Sequence, residues 1–189
     1  MPALIVLLFV AAYVALNASY FSKQVGHQLN PTETTDSVDA GQSNNSEPNR
    51  IRIPSLGITA PIVTPDGTTE QLYQEALKRG VVHYPGTADV GTVGNAYIFG
   101  HSSDFVFKGG DYKTVFALLP QIQKDAEILV SDKDGNEFTY KVVESFVANS
   151  NDVKLLDQNT NGEKILTLQT SYPIGTALKR WIVKARITE

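Results

Sequence analysis

Lys164-Ile165-Leu166-Thr167-Leu168-Gln169-Thr170-Ser171 and, a short loop later, Lys179-Arg180-Trp181-Ile182-Val183-Lys184-Ala185-Arg186-Ile187 set the fold class. Both segments are rich in β-branched and aromatic residues, and they read as the last two strands of the chain. Upstream, Ala126–Asp132 and Glu137–Ser150 flank Lys133-Asp134-Gly135-Asn136, a strong hairpin signal. Ala96-Tyr97-Ile98-Phe99 reads as a buried strand that ends at Gly100-His101, and Ile51–Val63 as two short strands around Pro54 and Gly57. Thr68 or Thr69 is placed to cap a helix that ends at Gly80, with Leu72, Tyr73, Ala76 and Leu77 at helical spacing. A second short helix is expected over 112–122, stopped near Pro120. Residues 81–95 read as loop, and 151–164 as a polar loop with room for one helical turn. No βαβ rhythm is present, so the expected fold is mainly β: a closed, mostly antiparallel barrel of about eight strands with short helices.

The two ends of the chain differ from each other. Residues 1–22 carry no charged side chain and read as a transmembrane anchor, since a helix needs about 20 apolar residues to cross the hydrocarbon core. A cleaved signal peptide would show a better small-residue site than Leu16-Asn17-Ala18. No Lys or Arg precedes the run to set its orientation. Residues 23–49 are polar and nearly free of bulky apolar side chains, and read as a flexible tether. Residues 50–189 then form the folded domain.

Composition removes several functions. The net charge is −4 with no run of Lys and Arg, which argues against a nucleic-acid partner. There is no cysteine, so disulfides and thiolate metal sites are excluded. His27, His83 and His101 lie too far apart in sequence for a zinc motif, and no cofactor is implied.

Three places carry candidate chemistry. Gly100-His101 would hold an imidazole at a sheet rim. Thr170-Ser171 ends another strand in hydroxyls. Arg180 starts the next strand with a guanidinium able to clamp a carbonyl or an oxyanion. Each also has an ordinary reading, as a hydrogen-bonded histidine, a turn serine and a solvated arginine.

Together these segments resemble the sortase family. Thr167-Leu168-Gln169-Thr170-Ser171 matches its Thr-Leu-x-Thr-Cys motif with serine in the cysteine's place, and Arg180 follows nine positions later, near the spacing of class C and D members. Gly100-His101-Ser102, His83-Tyr84-Pro85-Gly86-Thr87-Ala88, Gly94-Asn95 and Ile53-Pro54-Ser55-Leu56-Gly57-Ile58 match further family elements in the right order. The resemblance spans about Arg50 to Ile187. It implies an eight-stranded sortase barrel, a membrane-anchored domain outside the cytoplasm, and transpeptidation. The partners it implies are a sorting signal similar to Leu-Pro-x-Thr-Gly and an amine acceptor from a cell-wall precursor or a pilin lysine. By resemblance His101 is the general acid/base, Ser171 stands at the nucleophile, Arg180 orients substrate and stabilises the oxyanion, and Thr170 and Tyr172 contact substrate. Residues 147–162 are expected to border the groove. Asp152, Asp157 and Glu144 lie near that loop, where calcium is conceivable but a solvated polar loop is the simpler account.

Serine is expected to cripple such a site. A free thiol has a pKa of about 8.5 and is held as thiolate by an adjacent imidazolium. A hydroxyl needs an aligned base and an orienting third group, and Arg180 is a cation rather than a carboxylate. The rest of the motif is intact, which favours a single engineered replacement over the drift of a natural pseudoenzyme. Two alternatives remain: a serine hydrolase using Ser171 and His101 with Asp104 or Asp111, though no Gly-x-Ser-x-Gly elbow is present, and a non-catalytic surface domain that binds peptide.

Overall fold

Ile51 and Ile53 alternate with Arg50 and Arg52, and strand β1 (Arg50–Ile53) turns both isoleucines fully into the core. The computed structural model describes residues 46–103 and 110–188, with Val6, Leu7, Ala11, Tyr13, Val14, Ala15 and Val25 before them. Most of the expected anchor and tether lies outside the described residues, and no helix among those described is long and apolar enough to cross a membrane.

Seven more strands follow: β2 (Ile58–Val63), β3 (Val81–His83), β4 (Gly94–Phe99), β5 (Glu127–Ser131), β6 (Glu137–Asn149), β7 (Lys164–Tyr172) and β8 (Lys179–Ile187). They close into a barrel in the order β1-β2-β3-β4-β7-β8-β6-β5. Six neighbour pairs are antiparallel; β2 with β3 and β4 with β7 are parallel. The expected eight-stranded, mainly β barrel is therefore what forms. Ile98, Leu166, Leu168, Val183 and Tyr140 meet inside it, all fully buried. Outside, Tyr97 and Ile182 pack with Leu155 of the β6–β7 loop, while Val82 packs with Ala76 and Leu77 of helix α1 (Glu70–Leu77).

Several local expectations hold. Thr69 caps α1, its side chain accepting from the Leu72 amide at 3.4 Å. Between β1 and β2, Pro54–Leu56 make one 3-10 turn, and Gly57 leaves it at φ 61°, the left-handed region that favours glycine. The β5–β6 turn is closed by Asp132, whose carboxylate accepts from the Asp134 and Asn136 amides at 2.8 and 2.9 Å.

Two local expectations differ. Residues 81–95, expected as loop, begin with β3, a three-residue strand buried on both faces and so without the alternation that marks a strand. Residues 112–122 form no α-helix. The Phe116 amide donates to His101 O at 2.9 Å, and Val115, Ala117 and Leu119 each reach back only three residues. The segment is a run of turns ending in a 3-10 turn at Leu119–Gln121, because its backbone is tied to the end of β4.

Asn95, at the start of β4, fastens the long β6–β7 loop. Its Nδ2 donates to Leu155 O at 2.9 Å, and its Oδ1 accepts from the buried Thr167 hydroxyl at 2.7 Å. Gln158 closes the same knot, accepting from the Ala88 and Asn95 amides and donating to Asn95 O at 3.1 Å. Asn95→Leu leaves the Thr167 hydroxyl buried without its acceptor, and should cost about 2–4 kcal/mol of stability. Urea denaturation checks this; a loss under about 0.5 kcal/mol would show that the knot is dispensable.

Candidate active site

Register brings His101, Ser171 and Arg180 together. The last parallel pair of β4 and β7 is Phe99 with Gln169, and the Gly100 amide donates to Gln169 O at 3.0 Å. Two further residues along each chain are His101 and Ser171. On the other side of β7, Ser171 is paired with Arg180 of β8. The three residues thus sit in one row across neighbouring chain segments. They also share a face: Ile98, Leu166, Leu168 and Val183 point inward, so Tyr97, Gln169, Ser171, Arg180 and Ile182 point outward.

Two contacts fix the row. Buried Thr170 donates its hydroxyl to Gly100 O at 2.9 Å, which ties the end of β7 to the end of β4. A Cβ on residue 100 would lie 2.8 Å from the Phe116 ring, so glycine is what lets the strand end so close to the turns that hold His101 O. Beyond His101, the Ser103 hydroxyl accepts from the Gly175 amide at 3.0 Å and anchors the β7–β8 loop. That loop orients Arg180, whose Nη1 donates to Ala177 O and Lys179 O, both at 3.0 Å. The remaining guanidinium donors stay available to a ligand. No hydrogen bond to the Ser171 side chain is present among the described residues.

His101, Ser171 and Arg180 open on a cleft of about 400 Å³. One wall is aromatic. Tyr73 of α1 meets Phe99 edge-on at 5.2 Å between ring centroids, and Tyr84 meets Tyr97 edge-on at 6.2 Å. Burial and the neighbouring Tyr84 hydroxyl push the Tyr73 phenol up to about 12. Burial holds the Tyr97 phenol well above its ordinary value, against the pull of the Arg180 charge. The opposite wall is the β6–β7 loop, with Ser150, Asp152, Val153 and Leu156 at the cleft. Val153 is three-quarters exposed.

The other candidates fall as follows. Thr170 borders the cleft, but its hydroxyl is committed to Gly100 O. Tyr172 lies on the opposite strand face from Ser171 and packs on Trp181, 5.4 Å between ring centroids, so it is not brought into the row. Asp104 lies outside the described residues, and Asp111 is exposed and does not line the cleft. The carboxylates that do line it are Glu70 and Asp152. Asp152 caps the 3-10 turn Val153–Leu156, Asp157 accepts from the Asn159 amide, and Glu144 pairs loosely with Lys184 at 3.9 Å. Among the described residues, no three His, Asp or Glu side chains converge as a metal-sized set. His83 is a fold residue: its Nε2 lies 3.0 Å from Ala88 O and 3.1 Å from the Thr87 hydroxyl, shaping the turn that leads to β4. Sequence reasoning missed the aromatic wall, although Tyr97 and Phe99 stand in phase with His101 and period two alone marks them as its neighbours.

Comparison with known proteins agrees with the fold. The sortase domain family model matches residues 51–188. A Sortase D5 transpeptidase of Clostridium perfringens is 28% identical, with 74% of this chain and 78% of that one covered at a TM-score of 0.60. Sortase C-1 of Actinomyces oris is 26% identical over 74% and 73%, TM-score 0.61. Sortase A of Corynebacterium diphtheriae is 25% identical over 74% and 60%, TM-score 0.60. No curated protein matches the chain by sequence.

Thr170→Val keeps the side chain's shape and removes its bond to Gly100 O. It should cost about 1–2 kcal/mol, measured by denaturant unfolding. Unchanged stability would show that the β4–β7 junction does not depend on this contact.

Proposed function

The chain belongs to the sortase family, a family of transpeptidases, and from that premise we propose that its cleft receives a sorting signal similar to Leu-Pro-x-Thr-Gly, with Ser171 standing where the reaction needs a cysteine. The observation that carries this reading is the shared row and face of His101, Ser171 and Arg180 at the mouth of the cleft. In the cysteine form, the thiolate attacks the threonine carbonyl and Arg180 meets the charge that develops on its oxygen. The Thr–Gly C–N bond breaks, His101 gives its proton to the departing glycine amine, and a thioester remains. An amine acceptor, from a cell-wall precursor or a pilin lysine, then attacks that thioester. It loses a proton to His101, and an amide forms as the thiolate leaves.

With Ser171 the first step stalls. The hydroxyl is not ionised near neutrality, and taking its proton would place a second positive charge, on His101, beside the Arg180 cation. The same cleft still accommodates the peptide, so this form is a binding protein for sorting signals. The apolar run 1–22 and the polar stretch 23–49 are assigned as anchor and tether, holding the domain on the outer side of a membrane.

The test pairs the full chain with its Ser171→Cys variant, each incubated with a Leu-Pro-x-Thr-Gly peptide library and an amine acceptor and followed by mass spectrometry. The cysteine form should cleave and ligate at least ~100-fold faster. Turnover by the serine form within about tenfold of the cysteine form would overturn the argument and favour a serine hydrolase.

A further inference from the structure

Gln169 occupies the open position of the Thr167–Ser171 strand end, two residues before Ser171 and on the same outward face. Its Oε1 accepts from the Tyr97 hydroxyl at 2.6 Å. Tyr97 is 3% exposed, and its hydroxyl has no other acceptor among the described residues. A buried phenol keeps its proton and needs somewhere to donate it. The amide orientation follows: Oε1 faces Tyr97, and the Nε2 end is turned away from it. That NH₂ group makes no hydrogen bond among the described residues and is not sealed from solvent, while Gln169 and Tyr97 both line the cleft.

We propose that Gln169 is a substrate-binding residue whose amide NH₂, held in position by the Tyr97 hydroxyl, donates to a backbone carbonyl of the bound peptide about two residues from the bond that is broken. The spacing comes from the strand itself. Gln169 and Ser171 are two residues apart, or about 7 Å, the rise of two residues of an extended peptide. Tyr97 acts as a positioning residue, since it reaches substrate only through Gln169. The ligand class is an extended peptide with a free main-chain carbonyl at that point, whatever its side chain. The inference rests on the functional reading above and adds to it a main-chain contact independent of the sorting signal's variable residue.

The serine form allows a direct test, because binding is read without turnover. The full chain, Gln169→Met, Gln169→Glu, Tyr97→Phe and the Tyr97→Phe/Gln169→Met double variant are titrated with a fluorescent Leu-Pro-x-Thr-Gly peptide, and thermal unfolding of each is followed in parallel. Gln169→Met should weaken binding by about five- to tenfold, the net effect of one lost hydrogen bond. Gln169→Glu, which keeps the acceptor for Tyr97 but presents an anion instead of NH₂, should weaken it at least as much. Tyr97→Phe should weaken binding in the presence of Gln169 and add nothing in the double variant, a coupling that a purely structural tyrosine would not give. Binding of Gln169→Met within about twofold of the unaltered chain overturns this inference and leaves the functional reading standing. No binding by the unaltered, folded chain removes the functional reading and this inference with it.

Discussion

The parallel pairing of β4 with β7 is the constraint on which the site depends. Two parallel strands finish at the same rim of a sheet, so residues that follow their ends lie side by side however far apart they are in sequence. An antiparallel pair would have sent His101 and Ser171 to opposite rims. β8 then runs antiparallel to β7, so its first residues return to that rim and Arg180 arrives opposite Ser171. Two strand ends and one strand start therefore converge without any long side chain having to reach. The lock at the junction is small: one hydroxyl–carbonyl bond from Thr170, one amide–carbonyl bond from Gly100, and a glycine that lets Phe116 approach.

A parallel pair needs a long crossover, and here that crossover carries two of the eight strands and one wall of the cleft. β5, β6 and the loop from Ser150 to Glu163 all lie between the two strands in sequence. The loop would be a poor wall if it were loose, since it is polar and buries little. Asn95 and Gln158 compensate with hydrogen bonds to main-chain groups on both sides, and Leu155 adds one apolar anchor against Tyr97 and Ile182. The knot that closes the crossover is thus tied to Asn95, near the start of β4, whose other end leads to His101.

What the sequence made legible follows from which forces act locally. Period-two alternation in β1 and β2, the Asp-Gly turn after β5 and the Thr69 cap are all decided within a few residues, and each was readable. β3 was not, because a strand buried on both faces has no alternation to show. The turns at 112–122 were not, because a helical pattern lost to a tertiary partner, His101 O, that only the folded chain supplies. The membership of the site came from resemblance, while its geometry came from register, which no local signal encodes. Thr170 and Tyr172 illustrate the difference: they adjoin Ser171 in sequence, yet strand parity turns both away from it, one toward Gly100 and the other onto Trp181. Gln169, which the motif leaves unspecified, shares the face of Ser171.

That parity bears on how the serine form should be understood. On the proposed reading, the nucleophile acts mainly in the transition state, whereas the aromatic wall, the β6–β7 loop and the outward row along β7 meet the peptide before any bond changes. Replacing sulfur by oxygen removes an anion from beside Arg180 and His101 and leaves these walls as they are. Arg180 then faces no anion at residue 171, and the carboxylates that share its cleft are those of Glu70 and Asp152. On the proposed reading, a chain of this kind would separate recognition from turnover: the groove would keep its affinity for an extended peptide while the step that would release it is slowed.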